Sequence, residues 1–166
     1  MSKLIILRGN SGSGKTTVAK ALQEKLGPNT MLISHDMVRL QILHVWSREG
    51  VEKSLPLMEE LLKYGKNHSE FTVMEGILPF ADYKKLFDTA VKEFGKEIYA
   101  YYYDISFEET LKRHSTKPNK DDFTAEDMRR WWREKDLLES IDEKILTADL
   151  SAEDAVSLIL RDIDKE

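Results

Sequence analysis

The octapeptide Gly9–Thr16 constrains this chain more than any other feature, because it reads Gly-Asn-Ser-Gly-Ser-Gly-Lys-Thr. It matches G-x-x-x-x-G-K-[ST] at every fixed position, and it lies between an apolar run of strand length and a stretch of helical periodicity. Glycines let the backbone curl so that successive N–H groups point at phosphate oxygens, and the helix N-terminus adds partial positive charge. The pattern therefore predicts a phosphate-binding loop after the first strand.

The residue types of this loop suit a nucleoside triphosphate bound with Mg²⁺. We expect Lys15 to supply a mobile cation to the β and γ phosphates and the Thr16 hydroxyl to be a magnesium ligand. The remaining nucleotide contacts are expected from the rest of the loop and the residue after it, namely Gly9, Asn10, Ser11, Gly12, Ser13, Gly14 and Thr17.

Strand-sized apolar runs alternate with helical stretches along the chain, which is the pattern of repeated β–α units. We expect strands at 3–8, 31–34, 71–74, 98–103 and 144–147, and helices at 14–26, 35–46, 55–67 and 83–94. Ser54 is the expected cap of the 55–67 helix, and three further helices begin at capping boxes led by Ser106, Thr124 and Ser151. The fold predicted is α/β, a three-layer sandwich with a mostly parallel five-stranded sheet.

Composition and charge limit the classes of protein to which this chain can belong. A chain of 166 residues fits a single domain, 1–166, and its lack of cysteine excludes disulfides and thiolate metal sites. We see no apolar run of membrane-spanning length and no signal-peptide pattern, so we expect a cytoplasmic protein with no membrane partner. The formal net charge of −5 disfavours non-specific binding of nucleic acid.

Polar residues follow the first four predicted strands, where ligands of parallel sheets bind. They are 9–13, 34–36, 75–76 and 104. Asp36 and Arg39 are three residues apart at the start of a predicted helix, hence on one face. Asp36 could accept a proton from an attacking hydroxyl, and Arg39 could orient an acceptor or a transferring phosphate. The alternative is that Asp36 caps the helix and Arg39 is solvated.

The phosphate loop, followed by a strand that ends in x-x-Asp-x-x-Arg at 33–39, resembles the kinase domain of phage polynucleotide kinase and its relatives. Those relatives include zeta-toxin-like and antibiotic-modifying small kinases. Residues 102–114 are similar to that family's step from a strand into a basic lid, and residues 123–138 are similar to the helix that follows the lid. The resemblance covers nearly the whole chain.

The resemblance implies a lid at about 114–124 and roles for particular side chains. It implies Asp36 as the base that activates the acceptor hydroxyl, Arg39 as an acceptor contact, and Arg113 as a phosphate-stabilising residue near the lid. It also implies that Glu75 holds magnesium through water or contacts the acceptor, the alternative being a strand-end carboxylate in solvent. Lids of this type commonly carry a second arginine, but this chain has Lys117 there, and lysine lacks arginine's bidentate fork. The candidates to share that role are Lys117, Lys120, Arg129, Arg130 and Arg133.

Other conspicuous residues fit ordinary structural roles better. The string Asn119–Asp122 matches the N-K-x-D guanine-specificity pattern, but it does not follow an apolar strand and the chain has no D-x-x-G switch. Of the adjacent Trp131 and Trp132, we expect one in the core and the other at the acceptor pocket or lid hinge. Trp46 is expected to pack, and His35 and His114 are expected to be ordinary polar residues.

Together these patterns predict an ATP-dependent phosphotransferase that uses Mg²⁺ to move the γ-phosphate to a hydroxyl of a small molecule. The acceptor pocket is expected between residues 37 and 70. Two alternatives remain open, a polynucleotide 5′-hydroxyl kinase and a regulatory NTP switch. Neither the acceptor nor the oligomeric state can be read from the residues.

Overall fold

A computed structural model describes residues 1–164 and confirms the α/β sandwich, with a sheet that is parallel throughout the described chain. The strand order is β2-β3-β1-β4-β5. The strands are β1 (Lys3–Gly9), β2 (Thr30–Ser34), β3 (Phe71–Gly76), β4 (Ile98–Tyr103) and β5 (Glu143–Leu146). The sequence predicts a mostly parallel sheet, and all four strand pairings among the described residues are parallel.

Helices cover both faces of the sheet and its carboxyl edge. They are α1 (Lys15–Leu26), α2 (Ser47–His68), α3 (Phe80–Phe94), α4 (Phe107–Ser115), α5 (Ala125–Trp131) and α6 (Ala152–Ile163). The predicted capping boxes at Thr124 and Ser151 are complete, and Ser106 accepts a hydrogen bond from the Glu109 amide. Each such cap stabilises a helix start by about 1 kcal/mol.

Two apolar clusters bind these layers to the sheet. Residues 4–7 of β1 are fully buried, as expected for a central parallel strand covered on both faces. Leu4 and Ile6 pack with side chains of α2 and α3, whereas Ile5 and Leu7 pack with side chains of α1 and α6. The alternation of β1 side chains thus joins the two layers through one strand and fixes where the loop after it lies.

The helix predicted over 35–46 is confirmed only for residues 35–42, because the helical segment ends four residues early. Met37–Ile42 forms one short π-helical segment, in which the Leu43 amide bonds to the Val38 carbonyl five residues earlier. The chain then turns through His44 and Ser47, both at positive φ, where α2 begins. Trp46 is 53% exposed, and its ring packs edge-on against His44 with centroids 4.3 Å apart, so it packs locally and not in the core.

Ser54 does not cap a helix, because α2 begins seven residues earlier, at Ser47. Pro56, a residue typical of a helix start, lies inside this helix. Ser54 is instead buried on the face that packs toward α3, where its hydroxyl lies 3.1 Å from the Tyr83 hydroxyl. The boundary was misplaced because the helix begins before a local start signal, Ser54 followed by Pro56.

A buried ion-pair network ties β1 to the segment that follows α5. The Arg8 side chain is completely buried, and its guanidinium contacts Asp136 at 2.6 Å and Glu143 at 2.9 Å. It also donates to the Leu78 carbonyl at 3.2 Å. Because the desolvation of a buried guanidinium is costly, its pairing with two carboxylates is what makes this position tolerable.

Within residues 1–164, no helix is both long and apolar enough to span a bilayer.

Candidate functional site

The phosphate loop is held tightly against its neighbours. Gly12 and Gly14 have φ of +82° and +99°, a region that side-chain-bearing residues rarely adopt. A Cβ at Gly12 would lie 2.6 Å from the Thr110 carbonyl oxygen, and one at Gly9 would lie 2.9 Å from the Tyr103 Cβ. The motif glycines are therefore required by backbone conformation and by close contact with β4 and α4.

Lys15 is buried inside this loop. Its ammonium donates to the Asn10 carbonyl at 3.1 Å. Burial lowers the Lys15 pKa, and the nearby carboxylates of Glu75 and Asp36 raise it again. The Ser13 hydroxyl, also buried, finds no hydrogen-bond partner within residues 1–164. A buried cation and an unpartnered hydroxyl in one loop make a favourable environment for an anion.

Thr16 and Glu75 meet at the end of β3. The Thr16 hydroxyl donates to one Glu75 carboxylate oxygen at 3.1 Å, and the Ser34 hydroxyl donates to the other at 2.6 Å. Glu75 is only 3% exposed, so the alternative of a solvated strand-end carboxylate is wrong. Hydroxyl and carboxylate oxygens are the donors that Mg²⁺ prefers.

The described residues contain no cluster of three or more His, Cys, Asp or Glu that could hold a metal by itself. Mg²⁺ usually keeps waters and completes its coordination with phosphate oxygens, so it needs few ligands from the protein. The Thr16 and Glu75 oxygens thus fit a magnesium ion that arrives with a nucleotide.

Asp36 and Arg39 lie together at the carboxyl edge of β2. They form an ion pair at 3.3 Å, with the Asp36 side chain 71% exposed and the Arg39 side chain 25% exposed. Asp36 makes no side-chain capping hydrogen bond, so the helix-cap alternative is wrong. Arg39 is not simply solvated either, because its aliphatic stem packs on Gly50, where a Cβ would lie 2.7 Å from Cδ. Its Nε is buried and has no partner within residues 1–164.

Arg113 joins the phosphate loop to the loop after β5. It donates to the Ser13 carbonyl at 2.7 Å and to the Ala148 carbonyl at 3.0 Å, and Glu109 holds its Nε at 3.1 Å. Its two terminal nitrogens are therefore engaged with backbone carbonyls in this arrangement, and its phosphate-stabilising role stays a prediction.

The candidate lid cations have different surroundings. Burial lowers the pKa of Lys117, while Glu75 and Asp36 raise it, and Lys117 in turn lowers the pKa of Lys15. The charge of Lys117 therefore acts on the space between the phosphate loop and the ends of β2 and β3, which we call the crevice. The Arg129 guanidinium lies 3.5 Å from the centre of the Phe107 ring. Lys120 and Arg130 are exposed. Among these, Lys117 is the residue whose charge acts on the crevice.

Asn10 has a role that the motif alone does not reveal. Its amide nitrogen donates to the Arg133 carbonyl at 2.6 Å, and its amide oxygen accepts from the Arg133 backbone N–H at 2.8 Å. Asn10, the first variable position of the motif, thus holds the segment after α5 against the phosphate loop through two hydrogen bonds. No local signal could have found this contact, because the two residues are 123 positions apart.

Neither tryptophan of α5 and its C-cap belongs to the core, contrary to expectation. Trp131 is 40% exposed and packs edge-on against Phe123, which stacks on His114 at 4.4 Å. Trp132 packs edge-on against Phe107. The buried His114 ring lies within hydrogen-bond distance of the Lys120 and Phe123 carbonyls, so it holds the lid turn together, as a polar structural residue would.

The architecture matches several solved structures closely. A gluconokinase from Sinorhizobium meliloti superposes with a TM-score of 0.71 at 16% identity, covering 98% of this chain and 92% of that one. The APS kinase of Mycobacterium tuberculosis, in complex with AMPPNP and APS, gives 0.68 at 19% identity and covers 99% and 98%. A tunicamycin resistance protein from Deinococcus radiodurans gives 0.66 at 19% identity and covers 98% and 96%. At these identities the likeness establishes the fold.

Among curated proteins no sequence match is found. A family model described as an AAA domain matches residues 4–140, which include the phosphate loop, Asp36, Glu75 and the lid. Since the match covers most of the chain, this protein belongs to that AAA-domain family of P-loop proteins.

Proposed function

We propose that this protein is a kinase that transfers the γ-phosphate of ATP, with Mg²⁺, to a hydroxyl group of a small molecule. The observation that carries the proposal is the convergence of the ends of β2 and β3 on the phosphate loop. Glu75 accepts hydrogen bonds from Thr16 of the loop at 3.1 Å and from Ser34, two residues before Asp36, at 2.6 Å. Glu75 and Asp36 also act electrostatically on the buried ammonium of Lys15, since both raise its pKa against the effect of burial. A candidate base, a candidate magnesium ligand and the phosphate-binding cation therefore share one crevice.

The donor side would bind the triphosphate through charge and backbone amides. Lys15 exchanges its contact with the Asn10 carbonyl for phosphate oxygens, and the Ser13 hydroxyl gains the partner it lacks in the protein. Thr16 and Glu75 would hold the magnesium ion, which neutralises phosphate charge when bound. Preorganised groups of this kind stabilise the charge of a loose phosphoryl transition state.

The acceptor side would orient and deprotonate the hydroxyl. The exposed Asp36 carboxylate can accept that proton, and its ion pair with Arg39 orients it. The unpartnered Nε of Arg39 is a buried donor that an acceptor oxygen would satisfy. A small, oxygen-rich acceptor is also suggested by the gluconokinase and the APS kinase that share this fold.

The lid would close over the nucleotide and supply a cation from Lys117. Its ammonium interacts electrostatically with both Glu75 and Asp36, which suits a charge that follows the phosphoryl group from donor to acceptor. Lysine acts there as a point charge, whereas an arginine would make a planar, bidentate contact. Closure also excludes water, which would otherwise compete as the acceptor.

A polynucleotide 5′-hydroxyl is the second candidate acceptor, and one observation favours it. The rings of His44 and Trp46 form an exposed edge-to-face pair with centroids 4.3 Å apart, just beyond Arg39, and bases stack on such rings. The net charge of −5 weighs against it. Activity on an oligonucleotide that falls steeply with salt would favour this acceptor over a small molecule.

The decisive experiment measures ADP release from Mg-ATP against a panel of hydroxyl acceptors. The panel contains nucleosides, nucleotide sugars, sugars and sugar acids, aminoglycosides, and a 5′-hydroxyl oligonucleotide. Asp36→Asn is tested beside native protein, and Asp142→Asn is the matched control, because Asp142 is exposed and lies just before the amino end of β5.

We expect one acceptor class to stimulate ADP release, and Asp36→Asn to lower that rate by roughly 10² to 10⁴-fold. Asp142→Asn should match the native enzyme. ADP release that ignores every acceptor and survives Asp36→Asn would overturn the proposal in favour of an NTPase switch.

A further inference from the structure

Three buried polar side chains form a continuous hydrogen-bonded chain behind Asp36. The His35 Nε2 lies 2.5 Å from the Tyr83 hydroxyl, which in turn lies 3.1 Å from the Ser54 hydroxyl. His35 follows the last residue of β2, Ser54 belongs to α2, and Tyr83 belongs to α3. The chain therefore connects the strand end that carries Asp36 to both helices of the acceptor side.

The chain is enclosed almost completely. Tyr83 and Ser54 are fully buried and His35 is 7% exposed. Behind His35, a Cβ added at Gly76 would lie only 2.6 Å from the His35 Cβ, so the end of β3 presses the imidazole toward α3. Polar groups buried this deeply are retained in proteins when their hydrogen bonds are made.

Helix α3 bends locally where it contributes to this chain. Tyr83 has φ of −113° and ψ of 16°, which are not helical values, within the first turn of α3. Its ring meets the His35 ring edge-on, with centroids 5.0 Å apart. Burial lowers the pKa of His35 to about 4, so the imidazole is neutral near pH 7 and either tautomer completes a full hydrogen bond with the tyrosine hydroxyl.

We infer that the chain His35–Tyr83–Ser54 is a positioning device, which fixes the segment 36–42, with Asp36 and Arg39, against α2 and α3. Its effect on phosphate transfer rests on the proposed kinase function, whereas its effect on the segment does not.

The segment needs such support because its own structure is weak. It is π-helical over 37–42, two residues at positive φ, His44 and Ser47, follow it, and the side chain of its last residue, Ile42, is 56% exposed. Single π turns and exposed backbone belong to the low-stability end of a fold. Arg39 and Asp36 also influence the pKa values of both His35 and Tyr83, so the catalytic candidates lie within electrostatic reach of the chain.

The test compares Tyr83→Phe with Tyr99→Phe by amide hydrogen exchange. Tyr99 is a matched control because its buried hydroxyl has no hydrogen-bond partner within residues 1–164. We expect Tyr83→Phe to raise exchange at 36–42 by roughly tenfold, since local opening sets the protection of such segments. Exchange in the phosphate loop should not change, and Tyr99→Phe should leave 36–42 as in the native protein.

The kinetic arm uses the acceptor found with the panel and measures the two substrates separately. We expect Tyr83→Phe to lower kcat/KM for the acceptor by roughly tenfold, since small misplacements cost this much, while the KM for ATP stays the same. His35→Gln keeps an oxygen at the reach of Nε2 and should restore most of the activity that His35→Leu loses. Ser54→Ala replaces Tyr83→Phe if circular dichroism shows that the latter fails to fold.

Unchanged exchange at 36–42 in Tyr83→Phe would overturn the inference whatever the acceptor. Equal losses for ATP and acceptor, or no difference between His35→Gln and His35→Leu, would also overturn it, because a merely structural chain gives those results. If no acceptor of the panel is phosphorylated, the exchange result alone decides, so the failure of the kinase proposal and of this inference are separable.

Discussion

The donor and acceptor sides of the crevice are built in opposite ways. On the donor side, a contiguous loop is clamped by distant elements, with Gly12 against the Thr110 carbonyl and Asn10 against the Arg133 backbone. On the acceptor side, Asp36 and Arg39 stand on a short π-helical segment whose outer residues are largely exposed. The donor side is a loop held by close contacts along its length. The acceptor side is an exposed segment that is held by the buried His35–Tyr83–Ser54 chain.

This difference matches what each side has to recognise. A triphosphate presents the same oxygens in every nucleotide, so a close-packed loop of glycines suits it. Acceptors differ from one kinase to another, and exposed loop positions can vary without disturbing the core. We expect changes on the donor side to abolish chemistry or binding, and changes on the acceptor side to alter efficiency and local stability.

The largest effect is expected from Lys15→Met, which keeps the volume of the side chain and removes its charge. Loss of one preorganised donor to transferring phosphate should lower kcat by roughly 10³-fold, or about 4 kcal/mol. Lys20→Met on the exposed face of α1 is the control and should behave as native. Steady-state ADP release checks both, and a loss below about tenfold would show that the backbone carries the donor side.

A second prediction concerns the acceptor side and pH. Burial lowers the pKa of His35 from 6.5 to about 4, so the unfolded chain binds a proton that the folded chain refuses as pH falls between these values. Native stability should therefore fall by about 3 kcal/mol from this residue alone between pH 7 and pH 4. Urea unfolding measures the loss of unfolding free energy between pH 7 and pH 4. That loss should be smaller by this amount in His35→Gln, and equal losses in the two proteins would contradict the prediction.

The smallest effect separates strain from contact on the donor side. Gly12 and Gly27 have nearly the same φ, +82° and +83°, but a Cβ at Gly27 meets nothing within 4 Å among the described residues. Both alanine variants should lose stability because of the positive φ. Gly12→Ala alone should weaken ATP binding, by roughly tenfold, since the loop must shift away from Thr110. Calorimetric titration with ATP checks this, and equal affinities would mean that the loop tolerates the shift.

The donor side was predictable because its determinants are contiguous in sequence. Gly9–Thr16 carries turn, charge and helix start in one stretch, and the structure brings Thr16 and Glu75 together as the topology implies. The sheet could be inferred because apolar strand-sized runs alternate with helices, which leaves few parallel arrangements.

The acceptor side was not predictable because its determinants are tertiary. Periodicity made 35–46 one helix, but the segment is held by contacts of Arg39 with Gly50 and of His35 with Tyr83. Ser54 looked like a cap because serine is a preferred cap residue. Its actual partner, Tyr83, is 29 positions away, so no local pattern reveals it. One of Trp131 and Trp132 was expected in the core, yet Trp131 packs on Phe123 of the lid and Trp132 packs on Phe107.

The pairing of Arg8 with Asp136 and Glu143 has a consequence for synthesis on the ribosome. Arg8 precedes the phosphate loop, yet its partners are translated 128 and 135 residues later. A nascent chain that has reached β4 would have to bury an unpaired guanidinium to close the sheet, at a cost of several kcal/mol. The amino-terminal half should thus remain unfinished until β5 has emerged, so nucleotide binding becomes possible only when most of the polypeptide has left the exit tunnel.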